Sequence, residues 1–511
     1  MNLKTTFSKK IFWIGLAIIP LAVIASKTEL DHTKSSYQPI PSSQTNTCNC
    51  YSPSTSGITI PITFNNLVPT DLFSFTFQSQ ADCFAWQEFI SLNWPSSPNA
   101  SFGTPNDTNF VQWETYMPRE VLFPDDGSKP PVWGTLVSDE YSGLFKSQKF
   151  LLKKTQTKLL TFVSKIEEND ATINFSPNQA APFNKPSWMG AQNSTNVWYE
   201  IMLNKDYYDF IVQKGFYNAQ VQHDTVKQNQ PINFPQGAYG TTTVGAIELK
   251  AAWMEVTDRK SPKWLRYKLS NATVLDPITK KLRNTVVALV GLHILHKTQN
   301  QPTWLWATFE QVDNAPDNNN LTATPPPYGY NFYNANCTNQ NVVIKTSAGD
   351  STKVVTCNPN TSPPYYLNQA GPVPTQTTRM NNIDPTDAAP INTLMQQNIK
   401  KFYPNSVWQY YELVDVIWTQ SPVPDPTTPV NIPRNINASS MLSGTHIVAN
   451  STMETYVQQT KTCFQCHVYS TIAPYPPDST NNNKFGDFSF ALSFAKYPTA
   501  NANQKKKSVK K

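Results

Sequence analysis

The chain has 511 residues, 39% of them hydrophobic and only 15% charged, with 42 Pro and 13 Trp. That length supports a large core, the aromatic content supplies burial, and the low charge fraction excludes a charge-driven disordered chain. The net charge of +6 sits at the ends: without Lys4, Lys9, Lys10, Lys505, Lys506, Lys507, Lys510 and Lys511, 33 basic residues face 35 acidic ones, so the body has no field to hold a nucleic acid.

In chain order, the three N-terminal lysines precede an apolar run from Ile11 to Ala25. The basic start, that run and Val23-Ile24-Ala25 before Ser26 read as a signal peptide over residues 1–25, cleaved after Ala25 and directing export to the periplasm. The alternative is an uncleaved anchor, for which the run is shorter than the roughly 20 residues of a span. Residues 26–57, rich in Ser and Thr, read as a linker. A β-rich body is expected over 58–421. Within it, Phe84, Ala85, Phe89 and Leu92 fall at helical spacing, so Ala81–Asn93 is a helix stopped by Pro95. Gly245–Val256, Thr285–Lys297, Trp304–Val312 and Val407–Trp418 are strands by their β-branched and aromatic content, the second and third joined by a connection of hairpin size.

Residues 314–381, dominated by Pro and Asn, read as an irregular insertion. Cys337 and Cys357 bracket a polar loop there that lacks its own core, and a disulfide between them suits an exported chain. Cys48 or Cys50 can pair with Cys83, leaving one thiol over; spacing does not decide which. Five prolines make 422–438 an extended linker, 439–498 forms a short C-terminal segment, and 499–511 is a basic disordered tail. In that segment Ser451 and Glu454 fit a capping box opening a helix from Thr452 to about Lys461. The expected fold class is α+β: a large, mainly antiparallel β body with a few helices and a helical C-terminal segment packed on it.

Residues 463–467 read Cys-Phe-Gln-Cys-His. In an exported chain this is the attachment signature of a c-type haem. Thiols three positions apart on a helix can reach the two vinyl groups of one haem edge, and the next residue offers its imidazole to the iron. Cys463 and Cys466 are therefore the expected thioether positions for one covalent haem c, and His467 the proximal ligand. A thioredoxin-type dithiol would need a surrounding βαβ pattern, and half a zinc site would need two further ligands nearby; neither is present in the sequence.

On these residues the chain resembles the c-type cytochromes, and specifically the large exported monohaem members of that group. The stretches Cys83–Pro95, Gly291–His296, Trp304–Glu310 and Asn450–Tyr456 are also similar to that group. The resemblance implies haem binding, electron transfer and a redox partner protein; it implies no substrate.

No Met and no His follows His467, so a second axial ligand must come from upstream or the position is open. His293 and His296 lie three apart on a strand and face opposite sides, so at most one meets the same iron. Met453, ten residues before Cys463, is a third candidate, with Met441 and His446 behind it. Glu248 and Lys250 share one strand face, as do Trp304, Trp306 and Glu310, which makes a polar cluster possible if those strands neighbour His293 or His296. Three functions fit: a periplasmic one-electron carrier; a haem peroxidase or oxidase with an open or weakly held iron position; and a secreted binding protein with a structural or sensory haem. No catalytic residue is assigned, and membrane contact is expected only with an uncleaved N-terminal segment.

Overall fold

The four expected strands lie side by side in a single sheet. The computed structural model describes residues 46–52, 57–134, 157–160, 189–227, 232–275, 282–346, 349–361, 373–419, 448–459, 463, 467, 470–474 and 486–498. The expected signal peptide at 1–25, the proline-rich linker at 422–438, the tail at 499–511, Met441, His446 and Cys466 lie outside these residues.

The organising strand is β8 (Leu282–His296), whose last ten residues are all buried, as its run of Val, Leu and Ile requires. It pairs antiparallel with β6 (Ile247–Glu255) on one side. On its other side β7 (Leu269–Leu275) and β9 (Leu305–Gln311) follow one another along its length. Outward from β9 comes β12 (Tyr411–Ile417); outward from β6 come β5 (Val197–Leu203) and the short β3 (Met117–Pro118). A parallel strand, β4 (Thr157–Leu160), joins at β7. The fold is α+β, and every pairing in this sheet except that of β4 with β7 is antiparallel.

Two helices cover one face. α1 (Gln78–Leu92) begins three residues earlier than its apolar spacing suggests, because the Gln80 side chain accepts from the amides of Thr76 and Phe77 and caps the start. α2 (Ala388–Phe402) buries Ile391, Met395 and Ile399 at helical spacing. Against them pack Leu249, Leu292, Ile294, Phe309 and Leu413 from the sheet. Register slips between Leu413 and Asp415, and the Asn392 side chain of α2 both accepts from the Leu413 amide and donates to its carbonyl there. The first four residues of the expected strand at Val407–Trp418 form a 3-10 turn, started by the Ser406 hydroxyl accepting from the Trp408 amide.

The expected linker at 26–57 ends early. Thr47–Cys50 is a strand, β1, paired with β2 (Ile60–Thr63), and Cys50 is bonded to Cys83 on α1, which settles the pairing and leaves Cys48 as the thiol. The insertion at 314–381 is also less irregular than its composition suggests. It holds an antiparallel hairpin of β10 (Gln340–Thr346) and β11 (Gly349–Val355), closed at its base by the expected Cys337–Cys357 disulfide with Cα atoms 5.8 Å apart. Its flanks are buried: Phe332 and Thr377 are fully covered, and Arg379 holds Glu310, Asp317 and Glu412 together. Two disulfides belong to a chain that matures in an oxidising compartment. Among the described residues no helix is long and apolar enough to cross a membrane.

Candidate functional site

The sheet's second face carries the chemistry, and its strand register arranges it in rows. Glu248, Leu295 and Trp306 form the first row; Lys250, His293 and Thr308 the second; Ala252, Gly291 and Glu310 the third. Side chains alternate along a strand, so each row follows two residues after the last on the same side. The C-terminal residues lie across these rows.

Residues 450–454 cover the third and second rows. The Asn450 amide side chain donates to the Thr308 hydroxyl (2.9 Å) and the Phe309 carbonyl (3.0 Å), while the Ser451 hydroxyl donates to Glu310 (2.7 Å). These bonds overturn the expected capping box at Ser451. Its hydroxyl is taken by Glu310, and Asn450 caps instead, its side-chain oxygen accepting from the Thr452 amide (2.9 Å). Residues 451–459 form a series of turns in place of the expected helix. Glu454 is fixed at both oxygens, one accepting from the Asn450 amide (2.8 Å) and the other bonded to His293 Nε2 (3.1 Å). Burial alone would raise the Glu454 carboxyl; His293 and Lys250 together hold it below the usual carboxylate range.

Cys463 and His467 both lie in helical backbone. Cys463 packs at the edge of the apolar cluster formed by Trp306, Leu295, Phe488 and Leu492. The His467 ring stands edge-on between Trp306, with centroids 4.5 Å apart, and Phe490, at 5.0 Å. Its Nδ1 lies 2.8 Å from the Phe488 carbonyl. A carbonyl only accepts, so Nδ1 carries the hydrogen, and no hydrogen bond among the described residues engages Nε2. Burial pushes this imidazole down to about 4, with the Lys250 charge acting in the same direction against the Phe488 bond. His467 is thus neutral at ordinary pH, with its lone pair on Nε2.

The carbonyl that fixes this tautomer sits on unusual backbone. Asp487 and Phe488 are both left-handed, at φ 51° and 65°, although neither is Gly. Asp487 is held there from three directions: its carboxylate bonds Lys297 and accepts from the Phe234 amide (2.8 Å), and its carbonyl accepts from the Trp304 indole (3.0 Å). Ser489 then donates to Glu248 (2.6 Å) and ties the segment to the first row. None of this is visible from sequence; the Gly486-Asp487 pair hints at a turn and says nothing of what its carbonyl meets.

Of the expected second ligands, His293 faces this side, one row from Trp306, with Nε2 on Glu454. Met453 is buried against Gly291, Met189 and Tyr199, one row further away. The structure does not bring His296 to the site. It points to the helix face, bonded to Glu88 of α1 at one nitrogen and to the Val244 carbonyl (2.6 Å) at the other. Burial pushes its imidazole down, but the Glu88 carboxylate more than offsets that and holds it above its ordinary value. The polar cluster expected from Glu248, Lys250 and Glu310 does lie beside His293. Compared with known proteins, the chain matches no family model, no curated protein and no solved structure.

Proposed function

We propose that the chain is an exported c-type cytochrome carrying one covalent haem c on Cys463, Cys466 and His467, and that it transfers single electrons to and from a protein partner in the periplasm. The observation that carries the reading is the state of His467. It is neutral, holds its hydrogen on Nδ1 against the Phe488 carbonyl, and keeps Nε2 clear of any described hydrogen bond. Metal-bound histidines are prepared in this way, with the second nitrogen donating to a carbonyl or carboxylate that sets ring angle and basicity. Cys463, in helical backbone beside the cluster of Trp306 and Leu295, suits the attachment motif, and the two disulfides suit an exported chain.

When bound, the haem supplies a one-electron couple between ferric and ferrous iron. The chain's own residues do the rest. Trp306 and Phe490 fix the plane of the His467 ring, and the left-handed turn at Asp487 and Phe488 sets its rotation. Trp306, Leu295 and Leu492 belong to the apolar cluster on which Cys463 packs, and apolar surroundings lower the local dielectric and so bear on the potential. The experiment is direct. After denaturing electrophoresis the protein purified from a host that matures cytochromes c should stain for covalent haem, and Cys463→Ala with Cys466→Ala should remove the stain. A double variant that still stains would refute the assignment.

A further inference from the structure

We propose that the chain closes an intramolecular amide cross-link between Lys297 and Asn233, with Asp487 as the acid–base group; the inference is independent of the haem reading. The ammonium of Lys297, the residue after β8, donates both to the Asn233 carboxamide oxygen and to the Asp487 carboxylate. The Lys297 and Asp487 side chains are 1% and 0% exposed. Asn233 Cγ lies one C=O bond, about 1.2 Å, beyond the oxygen that accepts from Nζ, so nucleophile and electrophile already stand at van der Waals contact.

The surroundings hold the three groups together. Phe234, next to Asn233, donates its amide to the Asp487 carboxylate (2.8 Å), and the Trp304 indole donates to the Asp487 carbonyl (3.0 Å). Tyr207, Phe234 and Trp304 are buried, with ring centroids 4.3 Å apart for the first two and 5.7 Å for the last two. Backbone bonds fix the Lys297 end as well. Its amide donates to the Ala246 carbonyl (3.0 Å), and its own carbonyl accepts from the Gly237 amide (2.9 Å). Groups fixed in this way react as one molecule, without the entropic cost of bringing amine and carboxamide together.

The step needs no other reactant. The Lys297 ammonium passes one proton to the Asp487 carboxylate, which removes two buried charges at once and leaves a neutral amine, the nucleophile. Nζ attacks Asn233 Cγ and the Nζ–Cγ bond forms. A second Nζ hydrogen passes through Asp487 to the Asn233 nitrogen, the Cγ–Nδ2 bond breaks, and ammonia leaves. Of the three hydrogens on the ammonium and the two on the carboxamide, three depart with ammonia, one stays on the new amide and one on Asp487.

Two other lysines show why the site is Lys297. Lys158 and Lys268 are also buried, but their ammonium groups meet the carboxylates of Glu114 and Glu200 and backbone carbonyls. An ionised carboxylate is a poor electrophile, whereas a side-chain carboxamide has a carbon open to attack and releases neutral ammonia. The bond joins residues 64 apart and encloses β6, β7 and β8, so it staples the centre of the sheet in a form that reduction does not open.

The test is peptide mapping by mass spectrometry of the full-length protein after denaturation and reduction. Trypsin should fail to cut after Lys297, and the peptides that hold Lys297 and Asn233 should appear as one species, lighter than their sum by one ammonia. Lys297→Arg keeps the charge without the nucleophile, Asn233→Ala removes the electrophile, and Asp487→Asn removes the acid; each should give two separate peptides. A wild type cut after Lys297, with its Asn233 peptide unlinked, would overturn the proposal, and so would a link that has lost water and ends on Asp487. An Asp487→Asn protein that is still linked would overturn the role given to that carboxylate. The wild-type map reads the bond even where a variant fails to fold, and it gives the same answer whether or not covalent haem is present.

Discussion

Asp487→Asn removes the charge from the residue that carries the strained turn behind His467 and keeps its shape. In the native chain the Asp487 and Lys297 side chains are 0% and 1% exposed, and the carboxylate also accepts from the Phe234 amide. Removing one partner of a buried ion pair typically costs 3–5 kcal/mol, because the other charge stays behind. An amide oxygen can still accept from Phe234, and the Asn233 side chain still meets the Lys297 ammonium, so the expected loss is at the lower end, about 3 kcal/mol. The assay is chemical denaturation of the holoprotein in a double-mutant cycle with Lys297→Met. The double variant should lose clearly less than the sum of the single ones. Glu88→Gln serves as the control: it breaks the buried pair with His296 on the other face of the sheet at a similar cost. Under the proposed haem reading, Asp487→Asn should also perturb the visible absorption, because the Phe488 carbonyl it positions holds His467 Nδ1, while Glu88→Gln should leave the spectrum as it was. An Asp487→Asn protein within about 0.5 kcal/mol of wild type would refute the reasoning. So would a spectrum shifted equally by both variants.

Two more outcomes rest on buried groups. Asp82 of α1 and Asp415 of β12 share the Gln78 amide as donor (2.9 Å to each), and burial, with Asp384 and Asp387 nearby, lifts Asp415 to about 7 and Asp82 well above its ordinary value. An unfolded aspartate releases its proton near pH 3.9, so between there and about pH 7 the folded state binds more protons and stability falls as pH rises. Asp415 contributes at most about 4 kcal/mol to that fall, and Asp415→Asn should flatten the pH profile of urea denaturation; a profile rising from pH 4 to 7 in wild type would contradict the sign. Gly291→Ala would place a Cβ 2.3 Å from the Thr452 hydroxyl and 3.2 Å from Met453 Cε, so it should displace the turn over 450–454 at a cost of about 1–3 kcal/mol in thermal unfolding.

The parts legible in the sequence are those where one period decides the answer. The strands β6, β8 and β9 are buried on both faces, so their β-branched runs speak plainly, and the opposed faces of His293 and His296 follow from a period of two. The hairpin of β10 and β11 is hidden because its surroundings are rich in Asn, Thr and Pro, and its pairing is held by a turn and a disulfide in place of a core. The capping box fails for a different reason. Its pattern is local, while Ser451 answers to Glu310, a partner 141 residues away in the chain. Of the site, the sequence shows Cys463, Cys466 and His467 by spacing and His293 by its position on a strand. It does not show the Phe488 carbonyl, because a backbone acceptor leaves no mark in composition.

The distances along the chain explain why the site separates into two layers of different durability. The motif is local: its pattern of two cysteines and a histidine occupies five residues. What tunes that imidazole is not. The bonds that seat the C-terminal segment join residues 253 apart at Phe234 and Asp487, 241 apart at Glu248 and Ser489, and 161 apart at His293 and Glu454. Each exists only once the sheet has closed, since isolated turns and short helices are marginal in water. The fold around the motif therefore decides the rotation and surroundings of the His467 ring, which the spacing of the motif does not. A sheet with one face given to helices and the other to rows of buried polar side chains suits that division. The row face holds Glu248, His293 and Glu310 buried, each with a partner from the C-terminal segment.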